Sequence, residues 1–598
     1  MPNQVPMGEC VPPNTRHAVS VSLPQWEDNV DYEKGEPRVV HHMSGGYPRF
    51  FIAKPIQALA QHLKDRFALP NETAMLFPSL ACAERCTAFI YDQAPKQQGQ
   101  GATPAYEVPK PGQIRTVRHV VAPINKKAAA LDSVKAMLDA DVTIYCVLFP
   151  QELFPLAKQY WQHTGDGVSG RLADYCMHIE RVNEDYEQDA SPRGRAGRGY
   201  SQSAPRGAAG GRERSVESDM EADAYVEERF GRNVSLKYAA EMKLALRRRI
   251  AGALTEDEQG QGVQVERGVA GLGADDVFLT ATGMSAVFYA HQALLNMRPG
   301  KSVCFGFPYT DTLKILQKFG PGAYFLGHGE GSDYDELERI LDKHQQGPEA
   351  PILAIFVECP SNPLLKTADL PRLRALADRF GAALVVDETI GSFVNIDALS
   401  WADVVVSSLT KVFSGDSNVM GGSIVLNPAW AHYAALRSAM AAVLEDLVWC
   451  EDAIFLERNS RNFMGRVMEI NGNALAVAEL LRASTKVADV RYPKFVTPEN
   501  YARIMRPTRD AGYGGLLSVI FVGGEPAARA FYDSLGCWKG PSLGTNFTLA
   551  SPYTILAHYG ELDWAAGYGV QADLVRVSVG LEPRSELLAM FQAALDAV

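Results

Sequence analysis

The chain has 598 residues, 46% of them hydrophobic and 21% charged, with a formal net charge of −12. That length exceeds a single hydrophobic core and predicts two to four domains, while the acidic balance argues against nucleic acid as the main partner. Nine scattered cysteines fit reduced thiols rather than a disulfide framework. With no secretory leader at the start and no run of about eighteen apolar residues, the expectation is a cytoplasmic protein without a membrane partner.

Residues 1–35 read as loop with a short strand candidate at 18–23. Ile56, Leu59, Leu63 and Phe67 then recur at helical spacing. A second helix follows Pro78-Ser79, with Leu80, Ala83 and Phe89 as its apolar positions. Cys82 and Cys86 lie four apart on it and share a face, which reads as packing; no partner pair suggests a metal. Residues 92–114 are rich in Gln, Gly, Pro and Lys and predict a flexible insertion. Strand-like runs at 118–122 and 142–149 flank a helix, and a third helix spans roughly 170–182. Residues 188–220 have almost nothing to bury and predict a disordered linker. Their arginines and glycines also suit an RNA-binding tail, a reading the acidic chain disfavours.

From about residue 223 the pattern becomes α/β. A helix is predicted over 234–254, with strands at 276–280, 302–306, 352–357 and 383–387 and helical stretches between. Continuous apolar strands alternating with helices predict a mostly parallel sheet covered on both faces. Beyond about 430 the pattern is helical, and strands at 516–521 and 574–579 predict a smaller α+β domain. The expected organisation is an N-terminal extension (1–187), a linker (188–222), a large domain (223–430) and a C-terminal domain (431–598).

The chemistry centres on Ser408-Leu409-Thr410-Lys411, just past the apolar run 402–406. The Lys411 amine can form a Schiff base with an aldehyde cofactor, and the two hydroxyls can hold that cofactor's phosphate. A solvated turn lysine is the plainer alternative. Asp387 closes the predicted strand 383–387, where a carboxylate points into the ligand crevice. There it can keep a pyridine nitrogen protonated, although a helix N-cap fits as well. Gly283 follows a strand and opens a helix, which suits a phosphate or simply a tight turn. Tyr309 can stack on a flat ring or merely pack. Asn362 offers an amide that can bond the cofactor's phenolic oxygen or a substrate carboxylate, or it is a turn residue before proline. Arg576 can clamp a carboxylate or sit on an edge strand.

Taken together, Gly283-Met284, Tyr309, Asn362, Asp387-x-Thr389, Ser408-x-Thr410-Lys411, Ser542-Leu543-Gly544 and Arg576-x-Ser578-x-Gly580-x-Glu582 form an ordered set. Over roughly 223–598 this set resembles the Cys/Met-metabolism family of pyridoxal-phosphate enzymes. Glu-Arg-Phe-Gly-Arg-Asn, Ala-Leu-Arg-Arg-Arg-Ile and Gly-Phe-Pro-Tyr-Thr-Asp-Thr are similar, within it, to the fungal cystathionine γ-synthases. The resemblance implies fold type I, with a large mostly parallel seven-stranded sheet domain, helices on both faces, and a smaller C-terminal α+β domain.

It implies that Lys411 binds pyridoxal 5′-phosphate covalently and then shuttles protons. Asp387 pairs with the ring nitrogen, Tyr309 stacks on the ring, and Thr389 touches its other face. Gly283, Met284, Ser408 and Thr410 hold the phosphate, and Asn362, Ser542 and Arg576 hold the substrate carboxylate. The family is usually an oligomer in which a neighbour's Tyr-x-Arg pair reaches the phosphate. Here the matching segment has Glu227 in place of the tyrosine, followed by Arg229, which can still bind phosphate. Tyr47-Pro48-Arg49 has the Tyr-x-Arg form, so residues 18–90 are a candidate for the displaced family segment. Val412 and Asp416 also depart from the usual Tyr and His.

The implied activity is a transferase that joins an O-acetyl- or O-succinyl-L-homoserine to L-cysteine, giving L-cystathionine for methionine biosynthesis. The implied assembly is a homodimer or homotetramer with small amino-acid substrates. An O-acylhomoserine sulfhydrylase or cystathionine lyase is the nearest alternative. A catalytically silent protein of the same fold is the non-enzyme alternative.

Overall fold

The computed structural model describes residues 5–48, 50–97, 107–122, 141–190, 238–252 and 267–598. Its strands form three sheets. The first has three antiparallel strands, β1 (Glu72–Phe77), β2 (Arg115–Val121) and β3 (Val142–Pro150), with β3 in the middle. Alternate side chains of β1 and β3 feed two separate apolar clusters, one on each face. The helices α1 (Lys54–Phe67), α2 (Leu80–Gln97), α3 (Phe154–Thr164) and α4 (Gly170–Ala190) supply most of the rest of those clusters. Cys82 and Cys86 are buried in one of them, as packing.

The second sheet carries the site. In chain order its strands are β4 (Val277–Thr280), β5 (Ser302–Phe305), β6 (Ala323–Leu326), β7 (Ala354–Glu358), β8 (Ala383–Asp387), β9 (Val404–Ser408) and β10 (Gly422–Leu426). Their order across the sheet is β4-β10-β9-β8-β7-β5-β6, and only β10 runs antiparallel to its neighbours. The central strands β7, β8 and β9 are apolar on both faces because helices cover both. One covering helix, α5 (Gly283–Met297), is buried from Met284 to Leu294 apart from the half-buried Gln292. Each large apolar side chain it hides contributes about 1.5–3 kcal/mol. Another, α6 (Thr310–Lys318), follows β5. This is the fold type I architecture, with one antiparallel strand in an otherwise parallel sheet.

A five-stranded C-terminal sheet follows: β11 (Val487–Arg491), β12 (Leu516–Phe521), β13 (Trp538–Lys539), β14 (Leu549–Ser551) and β15 (Val575–Ser578). The expected strands at 516–521 and 574–579 are both present there.

Several expectations change. Residues 18–23 form no strand beyond an isolated bridge between Cys10 and Val21. Val19, Val21 and Leu23 are buried, but Val19 N donates to Ser417 O (2.8 Å) and Leu23 N to Lys539 O (3.2 Å). The segment is a strap that reaches the loop at Ser417 and the short strand β13, with no ladder of its own. Residues 92–97 continue α2 instead of starting a loose insertion. Strand β1 was not expected at all. Most of the expected linker, 191–222, lies outside the described residues, as do the helix expected between 122 and 142 and the residues Arg49, Glu227 and Arg229. Among the described residues no helix is long and apolar enough to cross a membrane.

Candidate active site

The ends of β7, β8 and β9 and the start of α5 open on one cavity of about 270 Å³. Tyr47, Gly283, Met284, Tyr309, Asn362, Asp387, Thr389, Ser408, Thr410, Lys411 and Arg576 all line it. Residues from 47 to 576 therefore meet at the edge where parallel sheets bind ligands.

Lys411 sits in the turn after β9 and is buried. Its Nζ donates to Tyr47 Oη at 3.2 Å and to Ser542 Oγ at 3.3 Å, and lies 4.6 Å from the centre of the Tyr47 ring. The hydroxyls of Tyr47 and Tyr309 are 3.3 Å apart. The turn itself is held from behind. Arg466 donates to the carbonyls of Val412 (3.0 Å) and Phe413 (2.8 Å), while Asn546 donates to Asp416. Of the two residues that depart from the family pattern, Asp416 uses its side chain to tie the turn to Asn546, while Val412 offers Arg466 only its carbonyl.

Two carboxyls lie side by side below. Asp387 and Glu358 are register partners at the ends of β8 and β7. Asp387 Oδ1 accepts the Thr389 N–H at 2.8 Å. Glu358 accepts the backbone N–H of Tyr309 on one oxygen and that of Asn362, at 3.2 Å, on the other. Burial raises both carboxyls above the ordinary carboxylate range, and the charge of Asp387 pushes Glu358 higher still. A cationic ring nitrogen would relieve this pair.

The start of α5 forms an anion cradle. Thr282 caps the helix by accepting the Ser285 N–H at 3.0 Å, and the first intrahelical bond is Ala286 N to Thr282 O at 3.2 Å. That leaves the N–H groups of Gly283 and Met284 for a ligand. A side chain at Gly283 would place its Cβ 2.6 Å from Ser408 Cβ, so only glycine lets the helix press against β9. Ser408 N donates to Thr389 Oγ1 at 2.8 Å. The Thr410 hydroxyl, in contrast, is taken up by Gly421, accepting its N–H at 3.1 Å and donating to its carbonyl at 3.3 Å. It shapes the turn and would have to release Gly421 O to donate to a phosphate.

Arg576, on β15, is buried, and burial lowers its guanidinium from the ordinary value. Its Nη1 donates to Asn362 Oδ1 (3.2 Å), and its Nη2 donates to the carbonyls of Pro541 (2.9 Å) and Ser542 (3.0 Å). The Tyr553 ring lies 4.6 Å beneath it. A fixed guanidinium beside an amide suits a carboxylate.

Glu358 and Tyr553 were not anticipated. Glu358 carries the same mark as Asp387, an acid ending a buried strand, but the stretch around it was read only for Asn362. Among the described residues no cluster could hold a metal ion. The donor set suits pyridoxal phosphate: an amine for an aldehyde, helix N–H groups for a phosphate, and a carboxylate beneath for a ring nitrogen.

Comparison with known proteins agrees. Residues 262–596 match the model of the Cys/Met metabolism PLP-dependent enzymes, and residues 55–169 match that of the fungal trans-sulfuration enzyme N-terminal domain. A cystathionine gamma-synthase of Neurospora crassa is 43% identical, covering 98% of this chain and 98% of that protein. A cystathionine gamma-synthase-like enzyme of Amanita muscaria is 42% identical, covering 100% and 97%. The crystal structure of cystathionine gamma synthase from Xanthomonas oryzae in complex with cystathionine is 27% identical, with a TM-score of 0.48, covering 60% of this chain and 87% of that one. The chain belongs to the Cys/Met metabolism PLP-dependent enzymes, and pyridoxal 5′-phosphate is its cofactor.

Proposed function

We propose that the protein catalyses γ-replacement on an O-acyl-L-homoserine, acetyl or succinyl, with L-cysteine, releasing the carboxylic acid and forming L-cystathionine. The full-length likeness to the Neurospora crassa cystathionine gamma-synthase carries this reading. When bound, pyridoxal phosphate supplies an aldehyde for the amine groups and a ring that accepts electron density.

The residues of the chain do the rest. Gly283, Met284 and Ser408 hold the phosphate, with Thr410 shaping the turn and Arg229 contributing from outside the described residues. Asp387 would pair with the ring nitrogen, and Tyr309 and Thr389, which line the same cavity, would hold the ring. Arg576, Asn362 and Ser542 fix the substrate α-carboxylate. Lys411 Nζ removes and returns protons at Cα and Cβ. Tyr47 and Ser542, already its hydrogen-bond partners, aim it. With those protons displaced, the Cγ–O bond breaks and the acyloxy group leaves as a carboxylate. The cysteine sulfur bonds to Cγ, and its thiol proton balances that carboxylate as the released acid.

The same reading takes the protein as a cytoplasmic homodimer or homotetramer. Its chain would divide into an N-terminal unit (1–187), a linker (188–222), a large domain (223–430) and a C-terminal domain (431–598).

The second reading within the same family is an O-acylhomoserine sulfhydrylase, which takes sulfide in place of cysteine. The test is to incubate the holoenzyme with O-acetyl- or O-succinyl-L-homoserine and either cysteine or sulfide. Cystathionine as the main product supports the first reading. Homocysteine formed faster from sulfide would replace it with the second.

A further inference from the structure

The N-terminal unit touches the phosphate cradle directly. Helix α3 ends at Gly165, whose φ of +66° is the left-handed conformation that glycine adopts without strain. Gly165 lines the same cavity as Gly283 and Lys411. A Cβ on Gly165 would lie 2.0 Å from Thr282 Oγ1 and 2.7 Å from Ser285 Oγ. These are the two residues that cap α5. The loop after α3 therefore rests on the first turn of α5 with no room between them.

The next residue pins it there. Asp166 is fully buried. Its Oδ1 accepts from Tyr289 Oη on α5 at 2.9 Å, and its Oδ2 from Tyr160 Oη on α3 at 2.8 Å and Arg85 Nη2 on α2 at 3.1 Å. The same Arg85 nitrogen also donates to Tyr289 Oη at 2.7 Å. One carboxylate thus joins three helices, two from the N-terminal unit and one from the large sheet's cover. A buried charged network is costly unless every member is satisfied, and it fixes register when complete.

We propose that Gly165 and Asp166 are positioning residues that seat the N-terminal unit on the start of α5 and so hold the N–H groups of Gly283 and Met284 in place for the cofactor phosphate. In this role the N-terminal unit completes the cofactor site from within the same chain. The proposal rests on the assignment of the α5 start as the phosphate site.

The test titrates apoenzyme with pyridoxal 5′-phosphate and, separately, with pyridoxal, which lacks the phosphate, following near-visible absorbance. In Gly165→Ala the dissociation constant for pyridoxal phosphate is expected to rise about tenfold, the scale of one charge-assisted hydrogen bond. Affinity for pyridoxal should stay unchanged. Tyr289→Phe, which removes a single hydroxyl and spares the fold, should show the same selective loss to a smaller degree. Equal weakening of both ligands, or no change in either, would overturn the proposal. If the wild-type protein itself prefers neither ligand over the other, the phosphate assignment falls and takes the proposal with it.

Discussion

Tyr47 Oη accepts a hydrogen bond from Lys411 Nζ at 3.2 Å, across 364 residues of chain. The N-terminal segment around Tyr47 and the turn after β9 are thereby joined at the reacting amine, and Tyr309 extends the chain of hydroxyls at 3.3 Å. The N-terminal part of the chain thus supplies a hydroxyl directly to the Lys411 amine.

Tyr47→Phe is therefore expected to lower kcat/KM by about 10–100-fold, because the hydroxyl that orients the amine is lost while the ring stays. Steady-state kinetics with acylhomoserine and cysteine check this. Unchanged kinetics would remove Tyr47 from the site.

Arg576→Lys keeps the charge and loses the planar fork that faces Asn362. KM for the acylhomoserine should rise about 10–100-fold, with cofactor content unchanged. A fall in bound cofactor with KM unchanged would place Arg576 at the phosphate instead.

The buried carboxyls make a pH prediction. Glu358 has its carboxyl raised by burial and by Asp387, so the folded apoenzyme holds that proton more tightly than the unfolded chain. The resulting stability is present below the ordinary carboxylate value and is lost as pH rises through the folded value. Glu358→Gln should flatten the fall of apoenzyme stability with pH by up to about 1.4 kcal/mol per pH unit, starting near pH ~4.3. Urea unfolding of both proteins at several pH values measures it, and parallel slopes would refute it.

Arg267 and Glu388 form a buried pair at 2.8 Å, with the guanidinium also over the Phe393 ring at 4.4 Å. Arg267→Met leaves Glu388 buried without its main partner and should cost about 3–5 kcal/mol. Thermal or denaturant unfolding reads the loss directly. A change below 1 kcal/mol, the scale of an exposed pair, would mean that Glu388 is neutral in the folded protein.

Much of the large domain was legible because its signals are local. An apolar run ending in Asp387, and another followed by Ser408-x-Thr410-Lys411, mark strand ends that open on a crevice, and both sit where expected. Glu358 bears the same local mark, but its pairing with Asp387 depends on the register of β7 against β8, which the local pattern does not carry. Strand β1 was missed because its apolar residues face two different clusters and show no alternation. The segment 18–23 alternates like a strand, yet its backbone partners are scattered, Ser417 in a loop and Lys539 on the short β13, and no sequence pattern announces them. Tyr47 could be singled out by its Tyr-x-Arg setting, but its meeting with Lys411 is a contact 364 residues away in the chain that no local pattern encodes. Gly165 and Asp166 carry no sequence signature, since their role lies wholly in what α5 presents to them.

The most direct measurement is to reduce the freshly purified protein with borohydride, digest it, and locate the pyridoxyl group by mass spectrometry. The mass addition is expected on the peptide containing Lys411 and to be absent from Lys411→Ala. A pyridoxyl group on another lysine, or on none after incubation with pyridoxal phosphate, would contradict the site described here.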